Sequence, residues 1–248
     1  MPHFFVAPFG GDEVELTGED AHHLVRVLRA QPGDRLTLAD NSGVIASAVL
    51  RSVSPAVRAS ASEPVSGDIH VRARVTARRE LPAPRPALTV VQALPKGRKL
   101  DQVVQRLTEL GVERIVAVHS ARSQVRLDGE RAEKALRRWR AVALAAAKQS
   151  RRARLPEIVG IGEWEEAFSQ VSDGVVLWEE ARDSLRAALS GFDADELVLA
   201  VGPEGGLTTE EVATTDLPAA SLGPTILRTE TAALVGAAVV MTLTGRME

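Results

Sequence analysis

The sequence has no cysteine and no tyrosine, and aromatic residues make up only 3% of its 248 positions. Without cysteine there is no disulfide framework and no thiolate metal site. With so few aromatic rings, a surface that stacks many splayed bases is not expected, so any contact with nucleic acid must rest mainly on phosphates. No apolar run approaches the roughly 20 residues that span a bilayer. The start of the chain lacks the basic segment and apolar stretch of a secretory signal, so a cytoplasmic protein is the expectation. The common nucleotide motifs are missing too. There is no G-x-x-x-x-G-K-[ST] loop and no G-x-G-x-x-G fingerprint, which disfavours ATP, GTP or NAD by those routes. H-E-x-x-H and G-x-S-x-G are likewise absent. His22 and His23 are adjacent, so on a helix they point in different directions and are not expected to share a metal. No metal is expected.

What is present is an ordinary soluble mixture, 45% hydrophobic and 25% charged, long enough for one large domain or two modest ones. The net charge of −3 hides a division. Residues 1–71 carry 5 basic and 9 acidic side chains, residues 72–154 carry 21 and 7, and residues 155–248 carry 4 and 17. A strongly basic middle segment in an acidic protein suits a polyanion. It equally suits solvated helix faces that pair with acids elsewhere in the fold, and charge alone leaves both readings open.

The first 80 residues read as a small domain rich in strands. Thr17 with Asp20 has the spacing of a capping box, and Ala21, Leu24, Val25 and Leu28 follow helical periodicity up to Pro32 and Gly33. Residues 35–39 alternate as a strand, Asn41, Ser42 and Gly43 make a turn, and residues 44–50, 55–61 and 69–77 read as further strands. Pro82, Pro84 and Pro86 then interrupt regular pairing and mark a boundary, dividing the chain into residues 1–80 and 81–248. Beyond it the texture becomes strand-helix alternation. Strands are expected at 87–94, 114–118, 175–178 and 197–201. Helices are expected over Leu100 to Leu110 with a stop at Gly111, over 131–149 with Leu136, Trp139, Val142 and Ala143 facing inward, near 184–189, and from Thr229. That order implies an α/β fold with a mostly parallel sheet.

Ligands of open parallel sheets bind beyond the carboxyl ends of the strands. Gly202, Pro203, Glu204, Gly205 and Gly206 follow one such strand, and their small residues let the backbone approach a ligand. Glu210 and Glu211 open a helix after them, where negative charge suits the helix dipole. The segment from Leu222 and Gly223 through Ile226 and Leu227 ends in Arg228, Thr229 and Glu230, with Thr229 placed to cap the last helix. A plain glycine turn accounts for either segment alone but not for both at strand ends. The basic segment contributes Lys96 and Arg98 after the first of these strands, and Lys134, Arg138, Lys148 and Arg152 along a long helix.

Taken in order, these residues resemble a known family. Residues 202–206 and 222–232, Lys96 with Gly97, residues 105–111 (Gln-Arg-Leu-Thr-Glu-Leu-Gly) and residues 148–152 (Lys-Gln-Ser-Arg-Arg) are similar to the ribosomal RNA small subunit methyltransferase E family of the SPOUT class. Residues 22–29, followed by Pro32, Gly33 and Asp34, resemble its PUA-like RNA-binding domain. The resemblance implies a C-terminal domain with a trefoil knot, S-adenosyl-L-methionine as cofactor, 16S ribosomal RNA in the small subunit as partner, methylation at N3 of one uridine, and a homodimer. It places the cofactor against Leu177, Val201, residues 202–206, Leu222, Gly223, Ile226, Leu227, Arg228, Thr229 and Ala232. It places RNA against His22, Arg26, Arg29, Lys96, Arg98, Arg138, Lys148 and Arg152. The family commonly has arginine where this chain has Thr225.

Methyl transfer needs donor and acceptor in line, and the acid proton on uridine N3 must leave. Glu230 is the first candidate base and Glu204 the second, with Arg228 set to stabilise charge developing on the uracil oxygens. Two readings of other classes compete. A non-catalytic RNA-binding protein fits the charge pattern, and a nucleotide-dependent transferase would use residues 202–206 as a phosphate cradle, though without the usual lysine and hydroxyl.

Overall fold

The computed structural model describes residues 1–54 and 69–247. They form two compact units: Met1–Pro82 with Lys148–Arg154, and Ala83–Ala147 with Leu155–Glu248. The strand expected at residues 55–61 lies outside the described residues.

The first unit is built on β1 (His3–Phe5), β2 (Glu13–Leu16), α1 (Gly18–His22), β3 (Arg35–Ala39), β4 (Val44–Ser54) and β5 (His70–Glu80). The strands form one sheet in the order β1-β3-β4-β5-β2, with β1 parallel to β3 and the other pairs antiparallel. Side chains alternate across each strand, so Ala46, Ala48 and Leu50 of β4 and Val71, Ala73 and Val75 of β5 share one buried face with Leu36 and Leu38. β4 runs four residues past the expected end at 50. The β4–β5 register slips between Ser47 and Ala48 and again between Leu50 and Ser52, and such bulges let a strand bend and continue pairing.

The expected helix over residues 17–28 is corrected. α1 ends after five residues and gives way to a π-helical turn, His23–Val27. Thr17 makes no side-chain cap, so the capping box with Asp20 does not form. Asp20 instead pairs with the Lys148 ammonium, which also lies 5.8 Å from the centre of the Phe4 ring. Ala21 and Leu24 are buried as expected, but the wider π turn carries Leu28 off that face, and Val27 and Leu28 are exposed. Residues 148–154 are held here by other bonds as well. His3 Nε2 donates to the Arg152 carbonyl at 2.9 Å, and burial pushes the His3 pKa below its ordinary value against the opposing pull of that carbonyl. Arg154 lies over Gly43 (φ 113°), where any Cβ would collide with its guanidinium, and donates to the carbonyls of Leu81 and Pro82.

The second unit contains β6 (Ala87–Ala93), α2 (Lys99–Leu110), β7 (Arg114–His119), α3 (Gly129–Ser150, through Ala147), β8 (Glu157–Glu163), β9 (Gly174–Leu177), α4 (Leu185–Ala188), β10 (Glu196–Val201), α5 (Thr209–Thr214), β11 (Ala219–Ala220) and α6 (Thr229–Leu243). Six parallel strands lie in the order β11-β9-β10-β6-β7-β8. All of β9 and all but the first residue of β10 are buried, so they read as continuous apolar runs, as strands covered on both faces do. α2 buries Leu100, Val103, Val104 and Leu107, and Gly111 ends it in the left-handed region (φ 108°), its N–H bonded to the Leu107 carbonyl. In α3, Trp139 and Ala143 are buried, while Leu136 and Val142 are only partly covered. α5 carries a capping box between Thr208 and Glu211. α6 crosses the sheet at Gly236, where a Cβ would come 2.7 Å from Leu177 Cδ1. β8 was not expected, because it holds two glycines and only Ile158 of its residues is buried, which leaves little apolar signal. No helix among the described residues is long and apolar enough to cross a membrane.

Candidate functional site

Because β11, β9, β10 and β6 are neighbours and parallel, the loops that leave their carboxyl ends emerge along one edge. Three of these loops, after β9, β10 and β11, wall a cleft of about 310 Å³. Leu177, Val201, Gly202, Pro203, Glu204 and Gly206 lie on it, with Leu222, Gly223, Ile226, Leu227, Arg228, Thr229 and Ala232. Gly205 is the one expected cofactor residue that does not. It faces Arg122 from the loop after β7, whose Nη1 donates to the carbonyls of Gly205 at 3.0 Å and Leu207 at 3.3 Å. Trp178 and Glu179 also line the cleft and were missed, since nothing local marks two residues beyond a buried strand. Glycine is required at 206, where φ is +71° and any Cβ would run into the Glu179 carboxylate. Ile226 is 86% exposed, an uncovered apolar side chain on the cleft wall.

Thr229 does not cap α6, because Arg228 occupies the cap position and no side chain there bonds the helix start. Its hydroxyl is used elsewhere. Thr229 Oγ1 donates to the Gly202 carbonyl at 2.6 Å and accepts from Gln92 Nε2 at 2.9 Å. Gln92 is fully buried on β6, and its Nε2 also donates to the Ala93 carbonyl at 2.9 Å. The start of α6, the glycine loop and β6 are therefore tied together by two buried polar side chains. The signal for Gln92 was available: it is the one amide in an apolar strand, and a buried amide must find partners.

The three candidate catalytic residues separate. Glu204 lies on the cleft, but its carboxylate is taken up by Lys99 Nζ at 2.8 Å and by the backbone N–H of Lys96 at 3.1 and 3.2 Å. Burial alone would raise the Glu204 pKa. The Lys99 hydrogen bond and the backbone N–H groups outweigh it and hold the carboxyl below the usual range. Lys99 is raised in turn, first by that hydrogen bond. Glu230 is buried and does not line the cleft; its Oε2 lies 3.5 Å from Lys99 Nζ, an ion-pair distance without hydrogen-bond geometry. Arg228 is exposed on the cleft rim and has no carboxylate partner among the described residues.

The eight expected RNA residues fall in both units. In the first, His22, Arg26 and Arg29 are exposed on and just after the π turn, whereas Lys148 is committed to Asp20 and Arg152 is only partly exposed. In the second, Lys96 and Arg98 are exposed at the end of β6, but Arg138 Nε sits 2.9 Å from Asp101 Oδ1, the oxygen that also accepts from Trp139 Nε1 at 3.0 Å. The bland reading of the basic helix, pairing with acids of the fold, therefore applies to Arg138 and Lys148.

Comparison with known proteins agrees with this architecture. A family model described as an RNA methyltransferase domain matches residues 82–241, and one described as an RNA methyltransferase PUA domain matches residues 16–55. A Mycobacterium bovis protein named ribosomal RNA small subunit methyltransferase E is 38% identical over 251 residues, covering 97% of this chain and 90% of its own. The chain belongs to the ribosomal RNA small subunit methyltransferase E family. A Bacillus subtilis protein of the same name is 35% identical over 88% of this chain and 86% of its own. The crystal structure of a ribosomal RNA small subunit methyltransferase E from Neisseria gonorrhoeae, bound to S-adenosyl methionine, aligns with a TM-score of 0.79 at 27% identity, covering 98% of each chain. In this methyltransferase E family member the match to the PUA domain begins at the end of β2 and runs through β4. The match to the methyltransferase domain spans the six-stranded sheet and the cleft at its edge.

Proposed function

We propose that this RNA methyltransferase binds S-adenosyl-L-methionine in the cleft and methylates N3 of one uridine in 16S ribosomal RNA of the small ribosomal subunit. The reading includes action in the cytoplasm as a homodimer and a trefoil knot in the C-terminal domain. The observation that carries it is the pair of glycine-bearing loops at the ends of β10 and β11, parallel strands on either side of β9, bound to each other through Thr229 and Gly202 around a cleft of about 310 Å³. That volume is at the lower end of the roughly 300–1,000 Å³ typical of small-molecule sites. Bare backbone at Gly202 and Gly206 beside Leu177, Val201, Leu222 and Leu227 suits a flat apolar base with polar edges, and the Neisseria relative's bound cofactor supports the same assignment. The return of the chain from β11, on the far side of β9, to Gly202 at the end of β10 supports a threaded path. A single-chain mass in sedimentation, or full contour length when the chain is pulled from its ends, would remove the dimer or the knot from this reading.

When bound, the cofactor supplies an electrophilic methyl group on a sulfonium. The protein's part is to hold it in line with the uracil ring, through the two loops, and to steady the charge that develops on the uracil oxygens. Arg228, exposed on the rim with no carboxylate partner among the described residues, takes that second role. Glu204 and Glu230 share Lys99 and hold the glycine loop against α2, so neither acts as the base in this reading and the N3 proton leaves to water. His22, Arg26, Arg29, Lys96 and Arg98 supply the phosphate contacts, because their charges face solvent.

Two measurements test this. Calorimetry should give binding of S-adenosyl-L-methionine and none of ATP, and mass spectrometry of ribosomal RNA from cells lacking the protein should miss one N3-methyluridine. Binding of ATP alone would return the transferase reading, and an unchanged set of methyluridines would remove the substrate. For RNA, replacing Arg26 and Arg29 together by alanine should weaken binding and make the plot of log affinity against log salt shallower by about one to two contacts. An unchanged slope would take the π turn out of the interface.

A further inference from the structure

The cleft carries three ionisable side chains, Glu179, Glu204 and Arg228. Glu204 is spent on Lys99 and the Lys96 N–H. Glu179 is different. It stands two residues beyond the end of β9, exposed to solvent on the cleft wall, and its carboxylate reaches over the bare backbone of Gly206. It makes no hydrogen bond or ion pair among the described residues. An uncommitted negative charge thus stands beside the glycine loop, inside the site, with no ion-pair partner among the described residues.

We infer that Glu179 is a specificity-determining residue that reads the positive charge on the sulfonium of the methyl donor. This rests on the cleft holding S-adenosyl-L-methionine. Donor and product differ at the sulfur: the donor carries a sulfonium, and once the methyl has gone to the uracil nitrogen the product is a neutral thioether. A carboxylate on the cleft wall therefore attracts the donor more than the product. The same residue that helps load the cleft stops retaining its occupant once transfer is complete. Because Glu179 is exposed, its attraction is that of a screened pair, about 1 kcal/mol at 4 Å in water, or about a fivefold preference.

The test is calorimetry at low salt with the whole protein and its Glu179→Gln variant, using three probes. These are S-adenosyl-L-methionine; sinefungin, which carries an amine in place of the methylated sulfur; and S-adenosylhomocysteine, the neutral thioether. The variant should lose about fivefold in affinity for the two cationic probes and less than twofold for the thioether, and added salt should narrow the gap for the wild type only. An equal loss for all three would mean that Glu179 binds a group they share, such as the ribose diol, and would overturn the inference. So would no loss for any. Wild-type protein that binds none of the three would overturn the cofactor assignment and this inference with it, whereas binding by the wild type with a loss in the variant that is equal for all three probes, or absent, overturns this inference alone.

Discussion

Arg228→Ala should lower turnover about 100- to 1,000-fold while leaving affinity for S-adenosyl-L-methionine within about threefold and the melting temperature nearly unchanged. The separation follows from where Arg228 sits. It is exposed on the cleft rim at the start of α6, and its side chain pairs with no carboxylate among the described residues, so truncation orphans nothing buried. Exposed substitutions of that kind cost about 0.5 kcal/mol or less in stability. Its loss should appear in the chemical step, where charge develops on the uracil oxygens and a preorganised donor is worth most. Arg228→Lys should recover part of the rate, since it keeps the charge but not the planar fork. In the same assay Glu230→Gln should cost less than about tenfold, because this carboxylate faces Lys99 rather than the cleft. Single-turnover rates and cofactor titrations with each variant decide the matter. Near-normal turnover in Arg228→Ala, or a collapse in Glu230→Gln as deep as that of Arg228→Ala, would exchange the roles assigned here.

Thr229→Val should weaken cofactor binding about tenfold or more and lower stability by about 2–4 kcal/mol. Valine matches threonine in shape, so the packing of a side chain that is 5% exposed survives and only the hydroxyl is lost. Its removal leaves the Gly202 carbonyl without its 2.6 Å bond and Gln92 Nε2 without its 2.9 Å acceptor, and each buried polar group left short costs about 1–3 kcal/mol. Gln92 Nε2 keeps its bonds to the Ala93 carbonyl at 2.9 Å and to the Gly202 carbonyl at 3.4 Å, which places the total below two full penalties. The larger functional consequence is freedom. Gly202 opens a loop whose Glu204 side chain ties it to the start of α2, and Thr229 is what ties that loop to α6. Thr229→Ser retains the hydroxyl and should restore most of the affinity. Denaturant titrations and calorimetry on both variants check this. A valine variant that binds cofactor as the wild type does would show that the loop is held by other means, such as Arg122 on Gly205 or Lys99 on Glu204.

Much of the second unit was legible because its signals are local. The apolar runs at β6, β9 and β10, the stop at Gly111 and the two glycine loops each depend on residues adjacent in sequence, whose conformational preferences act before any long-range contact forms. Local signals do not decide the outcome where a polar residue has two possible uses. Thr17 and Thr229 each have the composition of a cap. Thr17 forms none, and the Thr229 hydroxyl is taken by groups 27 and 137 residues away, a choice that local periodicity does not see. The partners of the basic helix are equally non-local. Arg138 and Lys148, expected in a polyanion footprint, pair with Asp101 and Asp20 once the chain has folded.

The sequence alone determined that glycine-lined loops follow buried parallel strands, that Arg228 and its neighbours open the last helix, and that the chain resembles one family of RNA methyltransferases. Tertiary structure decided which of these residues meet. The order β11-β9-β10-β6 brings the loop after β9 beside the other two and sets Glu179 over Gly206, and it places Gln92 under both Gly202 and Thr229. Strand order arises from pairing between segments that can be more than a hundred residues apart, as Ala87 and Glu196 are, where backbone hydrogen bonds and burial on both faces are satisfied together. No short stretch of sequence carries that balance, so the partners of Glu204, Glu230 and Thr229 could be found only in the folded chain.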